Sequence, residues 1–267
     1  MSRDPARISR AARYYYDIHH GKELLPPTPD WIAGASLDEA YAMQEELQSL
    51  FLPEGGPIAG YKIALTTPVM QQLMGIDHSI AGAILAKRVH SSPATLRHAD
   101  YTRIAVECEI AMRLGVDLPA RGRPYAKEDV AEAVATCMPS IELIEDHACD
   151  QYKLVGGRGL IANNAWNVGC VLGPEVADWR RLDLAAMVGA MSINGTEIGR
   201  GRGGDVMNGH PLHALAWVAN TVAERGRPLR RGMIIQTGSV VATRWPRPGD
   251  SVTVTFAGLG EASARFV

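Results

Sequence analysis

The stretch Ile104-Ala105-Val106-Glu107-Cys108-Glu109-Ile110-Ala111-Met112-Arg113-Leu114 reads as a strand whose two faces differ in kind. Side chains alternate between the faces of a strand. Ile104, Val106, Cys108, Ile110 and Met112 therefore share an apolar face suited to a core. Glu107 and Glu109 share the other, flanked by the small Ala105 and Ala111. Two like charges side by side repel, and on a partly buried face they are costly unless a metal ion or a proton compensates. A third acid, Glu142, lies inside the apolar run Pro139-Ser140-Ile141-Glu142-Leu143-Ile144 and needs a partner of its own. Three converging carboxylates make an all-oxygen site, which suits Mg²⁺ or Mn²⁺ rather than Zn²⁺. On these residues alone, a solvated strand face with Glu142 paired to an arginine stays open as well.

Around this strand the chain beyond about residue 95 is strand-rich. Further strands are expected at Val168 to Leu172, Met233 to Ile235, Ser251 to Phe256 and Ala262 to Val267, the last two joined by a Gly258-Leu259-Gly260 turn. Met191 to Ile198 carries Asn194-Gly195 at its centre, a strong hairpin signal. Helices are expected at Lys127–Cys137 and at Pro211–Arg225, the second stopped by Gly226. The glycine- and arginine-rich stretch from Gly199 to Gly204 lacks the Lys-Ser/Thr ending of a phosphate loop and reads as a surface loop.

The first hundred residues read as helical and irregular. Ser36 and Glu39 form a capping box, and Ala40, Met43, Leu47 and Leu50 follow at helical spacing. This predicts a helix from about Leu37 to Phe51, closed by Pro53, Gly55 and Gly56. A short strand from Ile58 to Leu65 carries Lys62. Thr67-Pro68 then opens a short helix that Gly75 ends. The expected fold is α+β, a mixed and mostly antiparallel β-rich core over 96–267 with a helical N-terminal portion, 1–95, that contributes Lys62. The two portions are expected to form one compact unit.

The 267 residues carry a net charge of −2 with both signs scattered, so no basic stripe points to nucleic acid. No apolar run approaches the ~18 residues that cross a membrane, and the polar start Met1-Ser2-Arg3-Asp4-Pro5 offers no signal-peptide core. Cys108, Cys137, Cys149 and Cys170 form no C-x-x-C pair, which fits buried thiols in a reducing cytoplasm. A small molecule is the expected partner.

Several segments, in order, resemble the fumarylacetoacetate hydrolase superfamily, on its branch of hydratases and decarboxylases of aromatic meta-cleavage pathways. Gly60-Tyr61-Lys62-Ile63-Ala64-Leu65-Thr66-Thr67 resembles the family's G-x-K-I-G-L-T-S segment, and Val106-Glu107-Cys108-Glu109 its V-E-x-E metal strand. Pro139 to Leu143 resembles P-A-L-E, Ile161 to Ala165 the x-A-D-N-A loop, Gly209 to Asn220 the H-P…A-W-L-A-N helix, and Thr237-Gly238-Ser239 the T-G-S turn. The ordered set is far more specific than any single match, and it runs from about residue 35 to the C-terminus.

The resemblance implies Glu107, Glu109 and Glu142 as ligands of Mg²⁺ or Mn²⁺, and a small 2-oxo acid such as a 2-hydroxydienoate as substrate. It implies Lys62 as proton donor and acceptor or as carboxylate binder, should burial lower its pKa. Gly238, Ser239, Asn164 and Trp166 become candidate substrate contacts, although Asn164 could equally hold its loop. His210, ahead of Pro211, reads first as a helix cap. Homo-oligomerisation is implied as well.

Two departures stand out. Where family hydratases run G-x-D-x-P-D-x-G, this chain has Gly75-Ile76-Asp77-His78-Ser79-Ile80-Ala81-Gly82, with Ile80 in place of the second acid. Asp77 or His78 is then the candidate to take over its role. Asn163 stands where Asp is common, and Trp166 where small or hydroxyl residues are. The expected activity is hydration of a 2-hydroxy-2,4-dienoate in aromatic catabolism. The alternatives are a 2-oxo-3-enedioate decarboxylase, an acylpyruvate-type hydrolase with His78 as base, and a partner subunit without chemistry, favoured by Ile80 and Asn163.

Overall fold

The computed structural model describes residues 3–150 and 152–267. Met1 and Ser2, the head of the polar N-terminal stretch, lie outside them. Helix α1 (Pro5–Gly21) starts where the Asp4 carboxylate accepts from the backbone N–H groups of Ala6 and Arg7. After the single turn α2 (Asp30–Ala33), α3 (Leu37–Gly55) opens on the expected capping box between Ser36 and Glu39. It runs through Pro53, where closure was expected. Proline's fixed φ is itself helical, and the helix stops only at Gly56, whose φ of 75° leaves the helical region.

Strand β1 (Ile58–Ala64) is followed by the short helix α4 (Pro68–Leu73), capped by the Thr67 hydroxyl, and by β2 (Ile80–Leu85). Then come β3 (Val89–Ser91), β4 (Ala94–Leu96) and the long β5 (Ile104–Leu114). Helix α5 (Lys127–Ala131) covers only the first half of the helix expected at 127–137. From Val134 the chain is strand β6 (Val134–Glu145), paired with β5 along its length. The alanines and glutamates between Lys127 and Ala135 suit a helix, but Val134 and Thr136 are β-branched and pairing with β5 draws the chain into the sheet.

The second half holds α6 (Tyr152–Ala162), β7 (Asn167–Leu172), β8 (Val188–Ile193) and β9 (Thr196–Arg202), then α7 (Pro211–Glu224), β10 (Ile234–Ser239), β11 (Ser251–Phe256) and β12 (Gly260–Phe266). The stretch expected to be a loop from Gly199 is strand as far as Arg202, paired with β8. Its glycines serve a close approach: a Cβ at Gly201 would come within 1.9 Å of the Val240 carbonyl oxygen.

The strands form two mixed sheets, ordered β2-β1-β10-β5-β6-β7-β3 and β4-β12-β11-β8-β9. Only β1/β10, β3/β7 and β4/β12 are parallel; the other described pairs are antiparallel. The β1–β2 hairpin of the N-terminal portion thus belongs to the same sheet as the carboxylate strand. The sheets share one apolar core that includes Ile110, Met112, Leu143, Val254, Phe256 and Phe266. The helices make a second core around Tyr15, Met43, Leu47, Ile80 and Ile161. All four cysteines are buried. Among the described residues no helix is long and apolar enough to cross a membrane.

Candidate active site

Pairing of β5 with β6 sets Glu107 opposite Glu142 and Glu109 opposite Ser140. Period-two alternation then sends all three glutamates to one face. One carboxylate oxygen from each lies within 4.8 Å of the others, with Glu109 and Glu142 fully buried. Lys62, on β1, reaches the same point: its Nζ is 3.0 Å from Glu142 Oε1. The parallel pairing of β1 with β10 brings it there, since β10 also borders β5.

Neighbouring groups fix each carboxylate. Glu107 accepts from the Thr243 hydroxyl. Glu142 Oε1 accepts from Asn167 Nδ2 at 2.9 Å, and Glu109 Oε2 from the backbone N–H of Gly238 at 2.9 Å. The register of β10 against β5 shifts at this turn, and Gly238 adopts φ 105°. That irregularity frees its N–H from the ladder and aims it at the carboxylate. Glu109 Oε1 and Glu142 Oε2 are sealed from solvent and have no hydrogen-bond partner.

Three carboxylates less one ammonium leave a formal charge of −2 in a buried place. The electrostatics register this. Burial, then the charge of Glu142, pushes Glu107 up to about 6. Burial, Glu142 and Glu107 raise Glu109 well above the usual carboxylate range. For Lys62, burial acts against the charge, but the opposing pull of Glu142, Glu107 and Glu109 leaves its pKa above the ordinary value. The condition attached to its proton-transfer role, a pKa lowered by burial, is therefore not met in the metal-free protein. A divalent cation fits this donor set: the oxygens are hard, the surplus charge matches, and the unpartnered oxygens of Glu109 and Glu142 are available as ligands.

The cluster opens into a cavity of about 600 Å³. Lys62, Glu107, Gly238 and Ser239 line it, as does Trp166. The Ser239 hydroxyl donates to the Val241 carbonyl at 2.6 Å and accepts from Cys108 N. Trp166 ends a run of three residues, Asn164, Ala165 and Trp166, with φ between 50° and 59°. Such left-handed conformations cost of order 1–3 kcal/mol each for ordinary side chains, so the surroundings must hold this loop.

Asn164 does the holding. Its Oδ1 accepts from Ala83 N and Gln48 Nε2, and its Nδ2 donates to Ala83 O. It does not line the large cavity; it borders a smaller one of about 260 Å³ beside His19 and Arg88. Asp77 and His78 are not brought to the carboxylates either. They line a shallow surface depression with Gln71 and Arg158, and His78 Nδ1 lies 2.9 Å from the Ser79 carbonyl oxygen. Ile80, standing where an acid was expected, is fully buried among helical-core residues. Asn163 Oδ1 accepts from His19 Nε2 at 2.8 Å. His210 caps α7 by accepting from Leu212 N.

Sequence reading missed Thr243, Asn167 and Asp146. The last lines the cavity and accepts from Arg103 and from the Trp245 indole. Asn167 adjoins the loop of Asn163 and Asn164 already singled out, and a third amide so near them was the available signal. Thr243 and Asp146 carry none.

Residues 79–267 match the fumarylacetoacetate (FAA) hydrolase C-terminal family. The chain belongs to the fumarylacetoacetate hydrolase family. Within it, the chain is 30% identical over 266 residues to a 2-keto-4-pentenoate hydratase of Burkholderia vietnamiensis, covering 100% of this chain and 99% of that protein. It is 30% identical over 261 residues to a 4-oxalocrotonate decarboxylase of Pseudomonas putida, covering 97% and 94%. The solved structure of 4-oxalocrotonate decarboxylase from Pseudomonas putida G7, complexed with magnesium and adipate, superimposes with a TM-score of 0.90 at 25% identity, covering 100% and 99%. The mixed two-sheet architecture is thus that of the family.

Proposed function

We propose that this protein is a divalent-metal-dependent hydro-lyase that adds water to a 2-hydroxy-2,4-dienoate, a 2-keto-4-pentenoate-like acid. The observation that carries the reading is the buried Glu107, Glu109 and Glu142 cluster with Lys62 at the wall of a substrate-sized cavity. The three glutamates would hold Mg²⁺ or Mn²⁺. When bound, the cation supplies a Lewis acid for the substrate carboxylate and its neighbouring 2-oxygen.

The chain's own groups do the rest. Hydration is balanced when the enol proton leaves oxygen, the terminal carbon gains a proton, and water delivers hydroxyl to C4 and hydrogen to C3. Lys62, held as an ammonium beside Glu142, would donate a proton to the substrate or bind its carboxylate. Ser239 and Gly238 line the wall where the substrate carboxylate would sit. Trp166 and the apolar wall would limit the access of bulk water once a substrate covers them. The protein would work in the cytosol as a homo-oligomer acting on small 2-oxo acids.

Decarboxylation of a 2-oxo-3-enedioate on the same cluster is the second reading, favoured by the full-length structural match to a decarboxylase. The hydrolase reading loses its base, because His78 does not line the cavity. A subunit without chemistry has no use for four costly buried charges. Incubating Mn²⁺-loaded protein with 2-hydroxypenta-2,4-dienoate and with 2-oxo-3-hexenedioate separates the readings. Loss of dienol absorbance with gain of one water by mass supports the hydratase. CO₂ release from the enedioate supports the decarboxylase, and no turnover of either overturns both.

A further inference from the structure

The cavity is larger and more apolar than a short dienoate needs. A cation held by the three glutamates would engage only the acid end of the substrate, yet the space measures about 600 Å³, within the range that holds drug-sized ligands. Much of the remaining wall is hydrocarbon, thioether or indole: Met70, Leu73 and Met74 from the α4 segment, with Ile144, Leu160 and Trp166. Met70 is 43% exposed, so part of this wall meets water when nothing covers it.

Besides Lys62 and Glu107, the charged residues lining the cavity are Asp146, Asp205 and Arg244. The Arg244 guanidinium donates to the carbonyls of Thr243 and Ile198 and is turned toward β9. Asp146 already accepts from Arg103, Trp245 and Tyr152. Asp146 is ion-paired with Arg103 and Arg244 has no carboxylate partner among the described residues, but a second substrate carboxylate lying against Met70, Leu73, Met74 and Leu160 would lose water without gaining a hydrogen-bond donor from those side chains.

Building on the hydratase reading above, we infer that the substrate is a monoanionic 2-oxo-enoate or 2-hydroxydienoate with an extended hydrocarbon group at the end remote from its carboxylate. That group lies against Met70, Leu73, Met74, Leu160 and Trp166. The selectivity is for length and apolarity, and against a second carboxylate.

The test is binding of saturated 2-oxo acids to Mn²⁺-loaded protein by calorimetry, with pyruvate, 2-oxopentanoate, 2-oxooctanoate and the dianion 2-oxoadipate. Affinity should rise by about fourfold per added methylene until the wall is covered, and 2-oxoadipate should bind more weakly than 2-oxopentanoate. Met70→Asp, at an exposed position that folding tolerates, should weaken 2-oxooctanoate far more than pyruvate. Affinity independent of chain length, or tightest for 2-oxoadipate, overturns the tail inference and leaves the hydratase reading standing. Binding of none of the acids overturns both.

Discussion

Lys62 Nζ lies 3.0 Å from Glu142 Oε1, with 3% and 0% of the two side chains exposed. A lysine so sealed keeps its charge only because the carboxylates around it demand one. Removing it leaves those carboxylates uncompensated, which costs about 3–5 kcal/mol for a buried pair. Lys62→Met should therefore lower the urea midpoint of the metal-free protein markedly and reduce kcat by about 10²–10⁴-fold. Unchanged kcat would remove Lys62 from the proton-transfer role.

Glu109 behaves differently, because in the metal-free protein burial and its acidic neighbours favour its protonated form. Glu109→Gln preserves that neutral shape. The metal-free variant should be as stable as the wild type or more so, while Mn²⁺ affinity and activity are lost. Thermal unfolding with and without Mn²⁺ checks this; a variant still stabilised by the ion would exclude Glu109 as a ligand.

The pH dependence follows from Glu107. Its folded pKa of about 6 exceeds the ordinary 4.5, so the fold prefers the protonated form. That stabilisation is complete below pH 4.5 and is lost as pH rises through 6, in all about 2 kcal/mol. Compared with Glu107→Gln, the metal-free wild type should lose this much in urea melts across that window. Saturating Mn²⁺ should reverse the trend, since the ion binds the ionised carboxylates and competes with protons. A difference that stays flat with pH would contradict the burial argument.

Asn164 should act on stability before it acts on substrate. Asn164→Ala strands the buried N–H and C=O of Ala83, each worth about 1–3 kcal/mol when left unpaired. Denaturant melts should show the loss. A rise in KM with stability untouched would instead make Asn164 a substrate contact.

Asp77→Ala and His78→Ala should leave kcat and KM within about twofold, as expected for surface positions away from the chemistry. A large fall in kcat for either would bring back the acid-base role that the sequence suggested.

Much of this arrangement was legible beforehand where the cause is local. Alternation marked β5 to its end residues, Ser36 and Glu39 marked the start of α3, and Asn194-Gly195 marked the β8–β9 hairpin. Convergence of Glu142 on Glu107 was legible only as a need for charge compensation, with the family pattern supplying the rest. Features set by distant pairing were hidden. Val134 to Met138 reads as the continuation of the helical pattern from Lys127, yet it joins a strand because β5 lies beside it. Asp77 and His78 are adjacent in sequence to Ile80, yet the turn before β2 carries them to the outside. The direction of the Lys62 shift was hidden too, because it depends on three acids that only the folded sheet brings beside it.

The connection between β1 and β2 has an evolutionary consequence. Ala64 pairs with Ile80, closing a hairpin whose loop contains α4, and that loop supplies Met70, Leu73 and Met74. None of the three glutamates belongs to it. One loop could therefore be exchanged between relatives, changing which carbon skeletons an organism can feed on, while the sheet that performs the chemistry is inherited intact.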